Sequence, residues 1–161
     1  MLLLIIAPLS VPAGDLTDLS GSIMVIDNSR QFDNLNPLAK TVYYLGDMNC
    51  HQLKNRSFFL NDNQMPFCAR DIGIFSGIFI GAITALIMIL PTKWYWLIIG
   101  FLPIAVDGIM QEVTAYESSN SLRFVTGALA GAVGALFLCI FIAMPIKEKN
   151  DESETKPITE N

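Results

Sequence analysis

Residues 50–77 read CHQLKNRSFFLNDNQMPFCARDIGIFSG, and the chain runs on from there as IFIGAITALIMILPT to Thr92. The first half of this stretch is dense in chemistry-bearing side chains: Cys50, His51, Arg56, Cys68, Arg70 and Asp71. The second half, Ile72 to Thr92, has no charge at all. A helix needs about 20 apolar residues to cross a bilayer. The stretch therefore predicts a membrane span that begins directly at a polar, ligand-rich segment. His51 is the one histidine in the chain, and two of its three cysteines lie here.

The rest of the chain agrees with a membrane setting. Of its 161 residues, 52% are hydrophobic and 16% charged, against about 25% charged in soluble domains. Phe124–Ile146 predicts a second span. Trp94–Val113 predicts another, interrupted by Asp107 and Gln111 and anchored by Trp94, Tyr95 and Trp96. Residues 1–13, MLLLIIAPLSVPA, predict a short transmembrane segment or a signal-like anchor. The expected class is all-α: an integral membrane bundle of three or four spans. Its domains read as 1–13, an outer loop over 14–70, a bundle over 71–146 and a disordered charged tail over 147–161. Within the outer loop, Pro37–Met48 predicts an interfacial amphipathic helix with Leu38, Val42, Leu45 and Met48 on its apolar side.

Lys93, Lys147 and Lys149 fall on one side if the spans alternate, which puts the tail in the cytoplasm and residues 14–70 outside. The expected location is the cell membrane, as a multi-pass protein. The net charge of −5 and the absence of a basic patch argue against a nucleic-acid partner. Gly73, Gly77 and Gly81, with Gly127 and Gly131, form small-residue faces at four-residue spacing. Such faces serve packing inside the bundle, or a homo-oligomer or larger membrane complex.

Three chemistries compete at the polar stretch. Thiolate, imidazole and carboxylate donors suit a zinc-like ion, so Cys50, His51, Cys68 and Asp71 form a candidate metal set. A Cys50–Cys68 disulfide would close a loop of roughly 19 residues and contribute about 3 kcal/mol. Burial of both cysteines as small hydrophobes is the third. Arg56, Arg70 and Arg123 are candidate anion-binding residues for a phosphate or lipid headgroup, or they reach to lipid phosphates as span-end arginines. Asp107 lies within a span, where a carboxylate faces the bundle interior and a partner, with Arg123 or Arg70 expected. It is a candidate general base, or an ion-pair residue only. Gln111 shares its helix face, and Asn120 supports the site from the 112–123 loop or caps the last span together with Ser121. The chain has no Walker loop, no GxSxG elbow and no HExxH.

These elements have a familiar arrangement. Cys50-His51-Gln52, Arg56-Ser57-Phe58, Met65-x-x-Cys68-Ala69-Arg70, Gly73-Ile74-x-x-Gly77, Pro103-x3-Asp107-Gly108-x2-Gln111, Ser118-x-Asn120-x2-Arg123 and Thr126-Gly127 resemble a prokaryotic family of predicted integral membrane proteins, domain of unknown function 2085. The resemblance covers about residues 40–135. It implies a multi-span membrane protein, and no activity. Members of that family often carry a second cysteine where this chain has Asp71, so a redox pair with that position is not available here, whereas an oxygen ligand is.

Two functional readings follow. One is a metal-binding membrane protein, with zinc the first candidate and lipid-headgroup hydrolysis or transfer the first reaction class. The other is a non-catalytic accessory subunit, or a thiol–disulfide membrane protein.

Overall fold

Three helices are long and apolar enough to cross a membrane: Ala69–Ile87, Tyr95–Val113, and Asn120–Ile142 at the start of a longer helix. The computed structural model describes residues 1–87 and 93–154, with 143–154 as backbone alone. In chain order it contains α1 (Leu2–Leu9), α2 (Ser29–Phe32), α3 (Pro37–Asn49), a 3-10 turn (Lys54–Arg56), β1 (Ser57–Leu60), β2 (Asn63–Cys68), α4 (Ala69–Ile87), α5 (Tyr95–Val113) and α6 (Asn120–Glu154). The protein is mostly helical.

The all-α expectation needs one correction. β1 and β2 form an antiparallel hairpin with Leu60 opposite Asn63 and Ser57 opposite Cys68. Its two-residue turn, Asn61-Asp62, has φ of 56° and 55° at the two positions. Asn and Asp tolerate this left-handed geometry, and the twist of such a turn matches the strands it joins. Residues 57–68 therefore pair as strands although no long alternating pattern marks them.

The N-terminal region does not supply a fourth span among the described residues. α1 has eight residues, a length of about 12 Å against a hydrocarbon core of about 30 Å. It docks on the polar half of the molecule instead. Ala7 and Val11 join Leu16, Leu19, Phe32, Ala39, Val42 and Tyr43 in one core. Asn63 fastens this segment: its Nδ2 donates to the carbonyls of Pro8 and Pro12 at 3.0 Å, and its Oδ1 accepts from the Leu16 amide at 3.0 Å.

α3 begins where the sequence places it, with Pro37 in the first turn and the Asn36 side chain accepting from the Ala39 amide. Its inward face is turned toward the hairpin and the loop before it. Ala39, Val42, Tyr43, Gly46 and Asp47 point inward, while Leu38, Leu45 and Met48 are exposed. Tyr43 donates its hydroxyl to the Gln64 carbonyl at 2.7 Å, and Asp47 accepts from Asn28 at 2.9 and 2.6 Å. Specific bonds to the hairpin and loop outrank the larger aliphatics in setting the helix phase. The apolar island Ile23–Ile26 is likewise exposed.

α4 and α6 form the tightest pair in the bundle, and glycine is the reason. A Cβ on Gly73, Gly77 or Gly81 would collide with the carbonyl of Phe124, Ala128 or Ala132, and one on Gly127 or Gly131 with that of Arg70 or Ile74. These faces therefore serve packing inside the chain. α5 lies on α6. The Pro91-Thr92 turn falls outside the described residues. The backbone of α6 continues through Glu154. Residues 155–161 lie outside the described part.

Gly77→Val should cost about 1–3 kcal/mol by overpacking against backbone. The check is a lower melting temperature in detergent. Gly108→Ala, which meets open space, should leave it unchanged. A Gly77→Val protein of unaltered melting temperature but altered oligomeric state would place the glycine face in a subunit contact instead.

Candidate functional site

The site forms where the end of α3, the end of β2 and the start of α4 meet. Gly46 lets α3 approach β2: a Cβ there would collide with the Pro66 carbonyl. Gln52, in a left-handed conformation at φ 46°, then turns the chain and donates to that same carbonyl at 2.7 Å. This brings Cys50 beside Cys68, whose amide donates to Cys50 Sγ at 3.3 Å. The Cys68 thiol in turn donates to Asp71 Oδ2 at 3.1 Å, across the first turn of α4. The two sulfurs and one Asp71 carboxylate oxygen lie within 4.8 Å of one another. Both cysteines are free thiols.

The two thiols are inequivalent. Cys50 donates a hydrogen bond to Cys68 and is desolvated, and both effects hold its thiol far above the usual range. The same hydrogen bond, received by Cys68, lowers that thiol, although burial and Asp71 oppose the shift. Cys68 is thus the more acidic of the two thiols.

His51 does not join this cluster. Its Nδ1 sits 3.1 Å from the Gly21 carbonyl, and the ring is exposed. The candidate set of four reduces to Cys50, Cys68 and Asp71 because adjacent residues at a helix end point in different directions. His51 still lines the same cavity of about 210 Å³ as Cys50, Cys68, Asp71, Arg56, Arg70, Gln111 and Arg123. The site residues named from sequence therefore come together, apart from Asp107 and Asn120, which stand behind the wall.

Asp107 is 6% exposed and pairs with Arg70. It also accepts from Gln111 Nε2 at 2.8 Å and from Ser118 Oγ at 3.4 Å. Gln111 accepts from Arg123 at 2.9 Å, and Arg123, only 2% exposed, donates to Asn120 Oδ1 at 3.3 Å. Asn120 donates to the Ser57 carbonyl at 3.1 Å, tying α6 to the hairpin. Sequence reading missed two members of this network. Ser118 bonds Asp107, and Glu117 faces Arg56 at 3.6 Å and Arg123 at 3.9 Å. The α6 cap is also neither Asn120 nor Ser121: Ser119 Oγ accepts from the Leu122 amide at 3.3 Å. Ser119 stands three residues before that amide, which is the N-cap spacing.

The family described as "Predicted membrane protein (DUF2085)" matches residues 50–138. That segment starts at Cys50 and takes in the hairpin, α4, α5 and most of the α6 span. An uncharacterised protein of Methanocaldococcus jannaschii is 40% identical over 111 residues, covering 65% of this chain and 67% of that protein. An uncharacterised protein of Methanothermobacter thermautotrophicus is 32% identical over 87 residues, covering 51% of this chain and 77% of that protein. No solved structure matches the chain.

In reduced, metal-free protein, Cys68 should react with a maleimide before Cys50, with a pH midpoint below that of an ordinary thiol. Cys50→Ala removes the hydrogen-bond donor and should move the Cys68 midpoint upward. The check is alkylation across a pH series, read by peptide mass. Equal midpoints for both thiols would contradict the assignment.

Proposed function

This chain belongs to the DUF2085 family of predicted membrane proteins, and from that premise we propose that it is a multi-pass membrane protein that binds a zinc-like ion through Cys50, Cys68 and Asp71. One observation carries the proposal: two thiols and a carboxylate oxygen already lie within 4.8 Å of one another. A tetrahedral ion with Zn–S bonds of about 2.3 Å needs its sulfurs about 3.8 Å apart. Closing the present arrangement by at most about 1 Å satisfies that. Two sulfurs and one oxygen are a donor set that zinc accepts, and Cys68 is the more acidic of the two thiols.

Three protein ligands leave the fourth position open, which is the pattern of reactive rather than structural zinc sites. When bound, the ion would polarise an oxygen or make a bound water more acidic. Arg56 and Arg70 line the same cavity, so the substrate class it suits is an anionic group with oxygen acceptors. Hydrolysis or transfer at such a group is the reaction class this layout favours. Asp107 is occupied by Arg70, Gln111 and Ser118, so we assign it to positioning Arg70 rather than to proton transfer.

Elemental analysis by mass spectrometry on gently purified protein tests the proposal. Near one metal per chain is expected in the wild type and in His51→Ala. Cys50→Ser and Cys68→Ser should lose it, and Asp71→Ala should hold it at least tenfold more weakly. A metal-free wild type whose cysteines resist alkylation until reduced would establish a disulfide in its place.

A further inference from the structure

Directly beneath the polar cavity, the bundle is incomplete. α4 and α5 both pack on α6, and the cleft between them encloses about 420 Å³. Its lining includes Ile74 and Ile78 of α4, Phe101 and Ile104 of α5, and Ala130 and Leu138 of α6. No charged or hydrogen-bonding side chain lines it apart from the thiol of Cys139. Residues four apart share a helix face. Ile74 therefore lies one turn below Arg70, and Ile104 one turn from Asp107. The cleft runs from Ile74 to Ala82 along α4, about 12 Å, within the segment long enough to cross a membrane.

At the upper end two guanidinium donors, Arg56 Nε and Arg70 Nε, and one carboxylate oxygen, Asp107 Oδ1, are buried without a hydrogen-bond partner among the described residues. Both arginines line the polar cavity. Buried donors left unpaired are destabilising, and guanidinium groups match phosphate oxygens in geometry and charge.

We propose that one hydrocarbon chain of an anionic lipid lies in the cleft between α4 and α5, with its phosphate against Arg56 and Arg70. The proposal deepens the anionic-substrate part of the functional reading and rests on it, but it does not depend on the metal. A free phosphate would satisfy the arginines and leave the cleft unused. An uncharged chain would fill the cleft and leave the two Nε donors without an acceptor. Only an amphiphile with an anionic head answers both features.

The test is a thermal-shift titration with dodecyl phosphate, in a sterol-based detergent with no linear chain and with a chelator throughout. Saturable stabilisation is expected, with little from inorganic phosphate or from dodecanol. Arg56→Gln should weaken it tenfold or more by removing a donor. Gly134→Leu should do the same by filling the cleft; a Cβ there makes only ordinary contact with the Phe101 ring, at 3.5 Å. Stabilisation by inorganic phosphate equal to that by dodecyl phosphate would overturn the proposal in favour of a free anion. Equal stabilisation by dodecanol would reduce the cleft to an apolar filling. Undiminished binding in both variants would place the lipid elsewhere. Loss of a dimer in Gly134→Leu, seen by size exclusion, would make a second copy the occupant. Because the chelator removes any ion, failure here leaves the metal reading standing, and failure of the metal reading leaves this one standing.

Discussion

The pair between Arg70 and Asp107 determines how the site is built. Arg70 stands between Cys68 and Asp71 in sequence, in the first turn of α4. Successive residues of a helix are rotated by about 100°. Holding Arg70 against α5 therefore turns Asp71 toward the end of β2 and leaves Gly73 facing α6. One ion pair thus sets the phase of α4 for the thiol cluster, for the cavity wall and for the glycine contact below. A carboxylate this deeply placed would be destabilising alone, and removing either partner of such a pair leaves a charge without compensation. Gln111 and Ser118 take up further capacity on Asp107. This makes the arrangement a network across α4, α5 and the loop before α6.

The hairpin extends that constraint beyond the bundle. Cys68 ends β2 and Ala69 begins α4 with no residue between them. The orientation of α4 is therefore transmitted to the strand. The other half of the site arrives from α3, and its position depends on a near-contact of backbones at Gly46 and on the Gln52 side chain. Gln64 reinforces the junction: it donates to the Gln52 carbonyl and to Ser57 Oγ, and it accepts from the Leu19 amide at 3.1 Å. Cys50 and Cys68 meet because two separately anchored segments are locked together by buried amides. Sulfur chemistry does not hold them, so the cluster is preorganised before any ligand arrives.

Much of this was legible from residue types alone. Long apolar stretches, one of them interrupted by Asp107, gave the three apolar helices. A lone carboxylate amid apolar residues pointed Asp107 inward, and Pro37 marked the start of α3. The hairpin was harder to see because Phe58-Phe59-Leu60 is too short for its period to separate strand from helix. The Asn61-Asp62 dipeptide between apolar runs was the available signal. The inward face of α3 was not legible from the spacing of Leu38, Leu45 and Met48, because bonds that tie Tyr43 and Asp47 to distant segments fix it. His51 was grouped with Cys50 by adjacency, and adjacency is what separates them in space. The glycine repeats were visible, but their partner was not, since small residues four apart serve an internal contact as readily as an external one.

Charge balance links the two halves of the functional reading. Arg56, Arg70 and Arg123 are faced by Glu117 and Asp107, which leaves Asp71 with only the Cys68 thiol. A divalent ion held by Asp71 and two thiolates would release two protons on binding, because thiolates and not thiols are the ligands. The charge of that cluster then stays at −1 before and after loading, so the arginines feel almost the same field in either state. Metal and anion can therefore occupy neighbouring positions without either one creating or abolishing the other's site. Proton release is what makes loading depend on pH. Cys68, already lowered, gives up its proton first, while Cys50, held above its usual range by its bond to Cys68 and by burial, resists longest. A metal held by Cys68 would replace that hydrogen bond, so the two thiols would have to be loaded together rather than independently.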